Sequence, residues 1–475
     1  MTGPWAPLLV RPDDAPSAGA GHVMRTLALV ERWAATGPAY VALASGRSRV
    51  ARRVEAAGGR VVEVDDDGSA AGLRRLLGDL RPAWAVLDGY RFGTDVQRAV
   101  RGTGTRLAVV DDHGHHGAYA ADLVVDQNLG GAPGAVADRP DGAAALLGPR
   151  YALVREEFRA PRPAAHHRTT RVVVTLGGSA ADRAEGVADR LAADLAASGL
   201  EVDVTTPLRS GARDRMGGLL GGATLVVSAA GTTTWELCAL GRPAVLVAVA
   251  GNQEPVGQAM GEAGAARYLG RLDALAPCRL ADEVRALLTE PAARTALAGR
   301  AAALVDGAGV DRVVTELRSS LVGLRTAGDG DRELLWEWVN DPEVRASAWR
   351  TEPIPWEEHR RWWEAAGRGR HQYVAEHRGV PWGQVRFDVD ERGVAAVDVS
   401  VAATCRGRGA AAPLVRAGVR RLFAETGCVA VVASVRPGNE RSRRAFLAAD
   451  FTPWPAASAG DGCTLTYLRG RDGRH

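Results

Sequence analysis

Short apolar runs alternate with amphipathic stretches along most of this chain, and that alternation constrains its fold more than any other feature. After Pro7-Leu8-Leu9-Val10 the candidate strands are Tyr40–Ala44, Val61–Val64, Trp84–Leu87, Leu107–Val110 and Leu123–Val125, with helical spacing between them around Val50–Ala57 and Leu73–Leu80. This pattern predicts a parallel sheet covered on both faces. The first run ends in Arg11-Pro12-Asp13-Asp14 and leads to Gly19-Ala20-Gly21-His22-Val23-Met24-Arg25, then to Leu27, Leu29, Val30 and Trp33 at helical spacing. A strand therefore turns into a helix at two small residues. Backbone N–H groups can approach a ligand there, and the helix N-terminus favours an anion. His22 at the helix start can face the same ligand, although a tight turn with an incidental histidine fits the spacing equally well.

Polar residues close several of the other strands: Asp88-Gly89-Tyr90, Asp111-Asp112-His113 and Asp126-Gln127-Asn128. In open α/β sheets the ligand crevice lies off the carboxyl ends of strands, so these residues are expected to converge near His22. Asp65-Asp66-Asp67 is read as capping a helix that starts near Ser69.

At 475 residues the chain exceeds one ordinary core, so two or three domains are expected. Hydrophobic residues at 46% and charged residues at 24% are those of a soluble globular protein. There is no lysine, so all 59 basic residues are arginine, scattered among acids with a formal net charge of only +3. That balance points away from nucleic acid. No apolar run is long enough to span a membrane, and Met1-Thr2-Gly3-Pro4 opens no signal peptide. Cys238, Cys278, Cys405, Cys428 and Cys463 are far apart with no CxxC, which suits free thiols in a reducing cytoplasm. His113-Gly114-His115-His116 fits no zinc spacing and is read as a solvated loop, so no metal is expected.

A proline-, arginine- and histidine-rich stretch, Arg159 to His167, reads as a linker. A second alternation follows. Val172–Leu176 ends in Gly177-Gly178-Ser179 before a helix over Ala184–Ala197, and strand Thr224–Val227 leads to Ser228-Ala229-Ala230-Gly231-Thr232-Thr233-Thr234-Trp235-Glu236. Hydroxyls and free N–H groups at that turn suit a diphosphate, and Glu236 can accept hydrogen bonds from a ribose diol. Ala244–Ala248 ends in Gly251-Asn252-Gln253-Glu254.

The pattern breaks around Leu317–Gly323, giving expected domains of residues 1–160, 161–318 and 319–475. Tryptophans then crowd together: Trp336, Trp338, Trp349, Trp356, Trp362, Trp363 and Trp382 are read as core or pocket wall. Gln384–Val389 and Val394–Val401 alternate as paired strands. The second leads into Cys405-Arg406-Gly407-Arg408-Gly409-Ala410-Ala411-Ala412 and a helix through Leu414, Val415, Val419, Leu422 and Phe423. Strand Val429–Val435 precedes Arg436-Pro437-Gly438-Asn439-Glu440-Arg441-Ser442 and a helix over Arg443–Ala449.

Over roughly residues 5–310 the ordered motifs resemble the UDP-sugar hydrolase of pseudaminic-acid biosynthesis. They are Gly19–Arg25, Asp88-Gly89-Tyr90, Asp126-Gln127-Asn128-Leu129, Leu147-Gly148-Pro149-Arg150-Tyr151, Gly177-Gly178-Ser179, Thr233-Thr234-Trp235-Glu236 and Asn252-Gln253. The resemblance implies a GT-B fold, a pair of Rossmann-type lobes, and metal-independent displacement at the anomeric carbon of a UDP-sugar. It makes His22 the general base that activates water, a task for which a side chain titrating near neutrality is suited, and has Tyr90 assist at the sugar. Gly19, Gly21, Arg25, Asp88, Asn128, Gly178 and Ser179 would hold substrate; Gly231, Thr232, Thr233, Thr234, Glu236, Asn252 and Gln253 would hold UDP. Ala180 stands where relatives usually carry an acidic residue, with Asp182 nearby, and Ser228-Ala229-Ala230-Gly231 is less glycine-rich than the usual loop.

The last unit resembles the GNAT superfamily of N-acetyltransferases, which implies an α+β domain. Arg406, Gly407, Arg408, Gly409, Ala410 and Ala411 fit its pyrophosphate loop, whose N–H groups would hold the diphosphate of acetyl-CoA; Asn439 and Ser442 match a later motif. Trp338-Val339-Asn340-Asp341-Pro342 and Glu358-His359-x-x-Trp362 look like the members acting on 4-amino nucleotide sugars. Phe446 stands where many members have a tyrosine acid, and Asp398 and His359 are candidate bases.

Together these imply a cytoplasmic bifunctional enzyme that N-acetylates a UDP-4-amino-deoxysugar with acetyl-CoA and hydrolyses the product to sugar and UDP. A GT-B glycosyltransferase fused to an N-acyltransferase is the alternative that the departures at Ala180 and Ala230 favour. A non-catalytic nucleotide-sugar or acyl-CoA binding protein is a third reading, which Phe446 supports and His22 and Tyr90 oppose.

Overall fold

The computed structural model describes residues 5–15, 18, 20–44, 48–64, 69–130, 133–159, 170–177, 180–212, 215–276, 278–365, 367, 369–453 and 463–468. The fold is mixed α/β and divides into two compact units. One comprises Pro7–Ala34 and Pro38–Val310; the other comprises the described parts of Met1–Ala6, Ala35–Gly37 and Asp311–His475.

The first unit contains two wholly parallel sheets. In one, β1 (Leu8–Pro12), β2 (Ala39–Ala44), β3 (Arg60–Val64), β4 (Trp84–Asp88), β5 (Arg106–Val110), β6 (Leu123–Asp126) and β7 (Ala144–Leu147) lie in the order 3-2-1-4-5-6-7. The order reverses between β1 and β4, whose carboxyl ends therefore flank a crevice. The first helix, Gly21–Ala34, follows β1 and buries Val23, Leu27, Val30 and Trp33. Each such burial stabilises by about 1.5–3 kcal/mol. Helix Ala70–Leu80 starts at Ser69, whose hydroxyl accepts from the Gly72 N–H. Ser69 itself is thus the cap; Asp65, Asp66 and Asp67 lie outside the described residues.

In the other sheet, β8 (Arg171–Thr175), β9 (Asp203–Thr205), β10 (Leu225–Ala229), β11 (Ala244–Ala248) and β12 (Arg267–Arg271) lie in the order 12-11-10-8-9, with the reversal between β8 and β10. Val173, Val226 and Leu246 face one core with Trp235, while Val172, Val174, Val227 and Val245 face another with Leu191. Burial on both faces explains why these strands read as unbroken apolar runs rather than alternating ones.

The second unit is built on β13 (Gly323–Thr326), β14 (Arg370–His377), β15 (Val380–Val389), β16 (Val394–Val401), β17 (Ala430–Val435), β18 (Thr452–Pro453) and β19 (Cys463–Leu468), in the order 13-14-15-16-17-19-18. All its pairings are antiparallel except β16 with β17, which pair from Val394↔Ala430 to Ala396↔Val432 only. Beyond that point the two strands continue unpaired with each other, leaving a wedge in the sheet. Helix Ala411–Glu425 makes the crossover and buries Leu414, Val415, Val419 and Leu422. Helix Gly309–Ser319 is tied to it by buried ion pairs of Glu316 with Arg416 at 2.9 Å and with Arg420 at 2.7 Å.

Candidate functional site

The crevice of the first unit opens into a cleft of 420 Å³ reached by residues of both parallel sheets. His22, the second residue of its helix, is 6% exposed and lines the cleft. Its Nδ1 lies 2.6 Å from Asp88 Oδ1 at the end of β4. Asp88 is fully buried, and burial alone would raise its pKa, but the Arg25 charge and the hydrogen bonds from Arg25 and His22 hold it below the ordinary carboxylate range. An ionised Asp88 accepts the Nδ1–H. Arg25 Nη2 is also 3.2 Å from Nδ1, yet it donates to Asp88 Oδ1 at the much shorter 2.6 Å. The carboxylate thus selects the tautomer that leaves the lone pair on Nε2.

Arg25 grips Asp88 through two N–H groups, at 2.7 and 2.6 Å, and donates a third to Asp112 Oδ1 at 2.7 Å. Burial opposes ionisation of Asp112, but Arg25 and the Asn128 amide, which donates at 2.8 Å, drive it well below the usual range. Tyr90 donates its hydroxyl to Asp112 Oδ2 at 3.0 Å and accepts from Asn252 Nδ2 at 3.1 Å. Burial and the Asp112 charge push the phenol above its ordinary pKa, so it stays protonated throughout the neutral range. Its ring meets His22 edge-on at 5.1 Å and His115 at 4.4 Å.

Gly89 sets the spacing between Asp88 and Tyr90. It has φ +151, and a Cβ there would lie 2.3 Å from Asp13 Cβ. Asp13 in turn continues the chain from β1, so only glycine lets the two strand ends approach.

The opposite wall comes from the turn after β10. A Cβ added to Gly21 would sit 3.2 Å from Thr232 Oγ1, so the two turns face each other closely. Gly231, Thr232, Thr233, Glu236, Asn252 and Gln253 all line the cleft. Thr234 does not; it is 2% exposed in the core. Glu236 is anchored in the wall by Arg155, whose Nε and Nη2 donate to the same Oε1 at 3.2 and 2.9 Å. Burial raises the Glu236 pKa despite that arginine. Gly19, Gly178 and Ser179 lie outside the described residues.

Asp112, Arg155 and His115 were not singled out by the sequence. Asp112 stood among the polar strand ends; Arg155 carries no local signal, because its partner Glu236 is 81 positions away. The histidine loop is less solvated than expected: the His116 side chain is only 4% exposed and its Nε2 lies 3.9 Å from Asp111 Oδ1. Cys238, Cys278 and Cys405 are free thiols. Among the described residues no helix is long and apolar enough to cross a membrane.

In the second unit, Gly407 (φ +72) and Gly409 (φ +65) turn the chain between the wedge strand β16 and helix Ala411–Glu425. Nothing lies within 4 Å of where a Gly407 side chain would begin, so the space beside this residue is open. Arg406 is occupied elsewhere: it donates to Asp341 Oδ1 at 2.7 Å and to the Val401 carbonyl at 3.0 Å. Arg408 contributes a carbonyl to the loop, and Ala410 and Ala411 form its passage into the helix. Asn439 Oδ1 accepts from the Ser442 N–H and caps helix Glu440–Ala448. Asp398 is exposed on β16 and accepts from Gln384 Nε2 at 3.0 Å, which in turn accepts from Gln372 at 3.2 Å. His359 is 5% exposed between Trp356 and Trp362, with Nε2 donating to the Arg332 carbonyl at 3.1 Å, and so packs the tryptophan cluster. Phe446 packs on Phe451 at 5.1 Å.

Residues 322–452 match the family model described as acetyltransferase (GNAT) domain, and the C-terminal domain is of that type. Among solved structures, an aminoglycoside acetyltransferase in complex with coenzyme A is 22% identical, covering 31% of this chain and 95% of that one, with a TM-score of 0.28. A spermidine N-acetyltransferase from Vibrio cholerae in complex with CoA and spermine is 16% identical, covering 32% of this chain and 97% of that one, with a TM-score of 0.29. None of the curated proteins compared matches the chain.

Proposed function

We propose that the chain is a bifunctional nucleotide-sugar enzyme whose C-terminal domain N-acetylates a UDP-4-amino-deoxysugar and whose first unit, a GT-B-like pair of lobes, hydrolyses the acetylated product. The observation that carries the hydrolase is the His22–Asp88 pair at 2.6 Å in the cleft wall, directly beside the turn that meets Thr232.

Water bound at His22 Nε2 gives up its proton as its oxygen forms a bond to the anomeric carbon. The bond from that carbon to the diphosphate oxygen breaks, and UDP leaves with both bonding electrons. Asp88 keeps the imidazole aligned and stabilises the imidazolium that results. Tyr90 is not the acid in this scheme: its proton is committed to Asp112, and its oxygen is oriented by Asn252 toward accepting from a sugar hydroxyl. Thr232, Thr233, Gln253 and Glu236 serve the nucleotide.

For the acetyltransferase, the family match and the open glycine loop support acetyl-CoA as co-substrate. The acceptor amine attacks the thioester carbonyl, the C–S bond breaks, and the amine proton passes by way of water to Asp398. The thiolate takes its proton from water, because Phe446 has none to give.

The test is product analysis on UDP-4-amino sugars with acetyl-CoA. Acetylated free sugar plus UDP is expected, and His22→Ala should stop UDP release while acetylation proceeds. Release of UDP only with formation of a glycoside would replace hydrolysis by glycosyl transfer.

A further inference from the structure

We propose that Trp5 is a positioning residue for the glycine loop Arg406–Ala411, an inference that rests on reading this loop as the coenzyme A diphosphate site. The indole Nε1–H donates to the Arg408 carbonyl at 3.0 Å, across 403 positions of sequence. In a trans peptide, the carbonyl of one residue and the N–H of the next point in opposite directions. Holding the Arg408 carbonyl on the indole therefore turns the Gly409 N–H toward the other side of the loop. An anion is held by such N–H groups only if the carbonyls are turned away from it.

The brace is itself well fixed. Trp5 is 5% exposed, and the Arg318 guanidinium stacks 4.9 Å from the centre of its ring. Arg318 is 1% exposed, and a Cβ at Gly409 would lie 3.2 Å from its Nη1. The loop thus rests on a buried tryptophan–arginine pair, with a positive charge directly behind the backbone that would face a diphosphate. Neither residue falls within residues 322–452, the stretch that matches the acetyltransferase family. The brace is supplied by segments flanking the family's own domain.

The test uses the full chain with Trp5→Phe, which retains an aromatic ring beside Arg318 and removes the donor together with part of the indole. Coenzyme A is titrated calorimetrically, pantetheine is titrated at millimolar concentration as a ligand without the diphosphate, and melting temperature is recorded without ligand. The expected result is a dissociation constant for coenzyme A about fivefold higher, the worth of one neutral hydrogen bond, with pantetheine affinity unchanged and a fall in melting temperature from the smaller buried ring. Wild-type affinity for coenzyme A in the variant overturns the inference while leaving the loop's assignment intact. Equal loss for both ligands makes Trp5 a packing residue and overturns it too. A wild-type chain that fails to bind coenzyme A refutes the assignment of the loop and this inference with it.

Discussion

His22 Nδ1 and Asp88 Oδ1 lie 2.6 Å apart with side-chain exposures of 7% and 0%. A carboxylate that deep stays ionised through Arg25 and the hydrogen bond from His22 Nδ1, which leaves Nε2 as the ring nitrogen free of this pair. Replacing Asp88 with asparagine keeps the shape and deletes the charge that holds the tautomer. UDP release should fall by about 10²- to 10⁴-fold, the range for positioned proton transfer, with UDP affinity little changed. Steady-state kinetics on the acetylated UDP-sugar decides; a wild-type rate in Asp88→Asn removes the pair from the mechanism.

The same charges make stability depend on pH with a defined sign. Burial opposes the ionisation of Asp88 and Asp112, but Arg25, with His22 and the Asn128 amide, outweighs it and both are held below the ordinary range. A folded pKa below the unfolded value of about 3.9 adds stability that is complete above that pH and is lost as pH falls through the folded value. In Arg25→Met the main opposing charge is gone and the folded pKa values of both carboxyls rise. Relative to the wild type, that variant should gain stability as pH is lowered from about 7 toward the ordinary carboxylate value of about 4. Urea midpoints across that interval measure it, and parallel curves for the two proteins would show that Arg25 does not set these carboxyls.

Gly89 offers a purely steric test. With φ +151 and a Cβ only 2.3 Å from Asp13 Cβ, Gly89→Ala must move either the Asp13 backbone or the Asp88–Tyr90 segment. The cost should reach at least about 1–3 kcal/mol, the usual price of a strained backbone position. Denaturant unfolding measures the loss, and activity should fall further than stability does because the displaced residues are those that hold His22 and Tyr90.

What could be read from the chain follows from where its signals are local. Valine runs such as Val172–Val174 are strands because both faces are buried, and the reading needs no partner. β7 escaped because Ala144-Ala145-Leu146-Leu147 has the composition of a helix and becomes a strand only by pairing with β6. β14 escaped for a different reason. Its hairpin turns on Arg378 (φ 51) and Gly379 (φ 76), and arginine at the first left-handed position hides a turn normally announced by Asn or Asp. In the cleft, Tyr90, Asn128 and Asn252 were legible as polar residues beyond strand ends, and His22 as the start of a helix after a glycine turn. The Asp88–Arg25–Asp112 chain that organises them was legible only in part, since a carboxylate's partner is fixed by topology rather than spacing.

Gly407 and Gly409 together give the sharpest test of the glycine loop, because they share a strained backbone but differ in surroundings. At Gly407, with φ +72, an added methyl meets nothing within 4 Å, so Gly407→Ala imposes conformational strain alone. That strain is about 1–2 kcal/mol for a left-handed residue, which predicts coenzyme A binding weaker by about tenfold if the loop must hold this shape. At Gly409, with φ +65, the methyl also meets Arg318 Nη1 at 3.2 Å, so Gly409→Ala must additionally shift a buried guanidinium. Its affinity should fall further than that of Gly407→Ala, while UDP release from a pre-acetylated substrate stays at the wild-type rate in both. Calorimetric titration with coenzyme A ranks the two variants. Equal affinities would show that Arg318 yields freely, and undiminished affinity in both would mean that the diphosphate binds away from this turn.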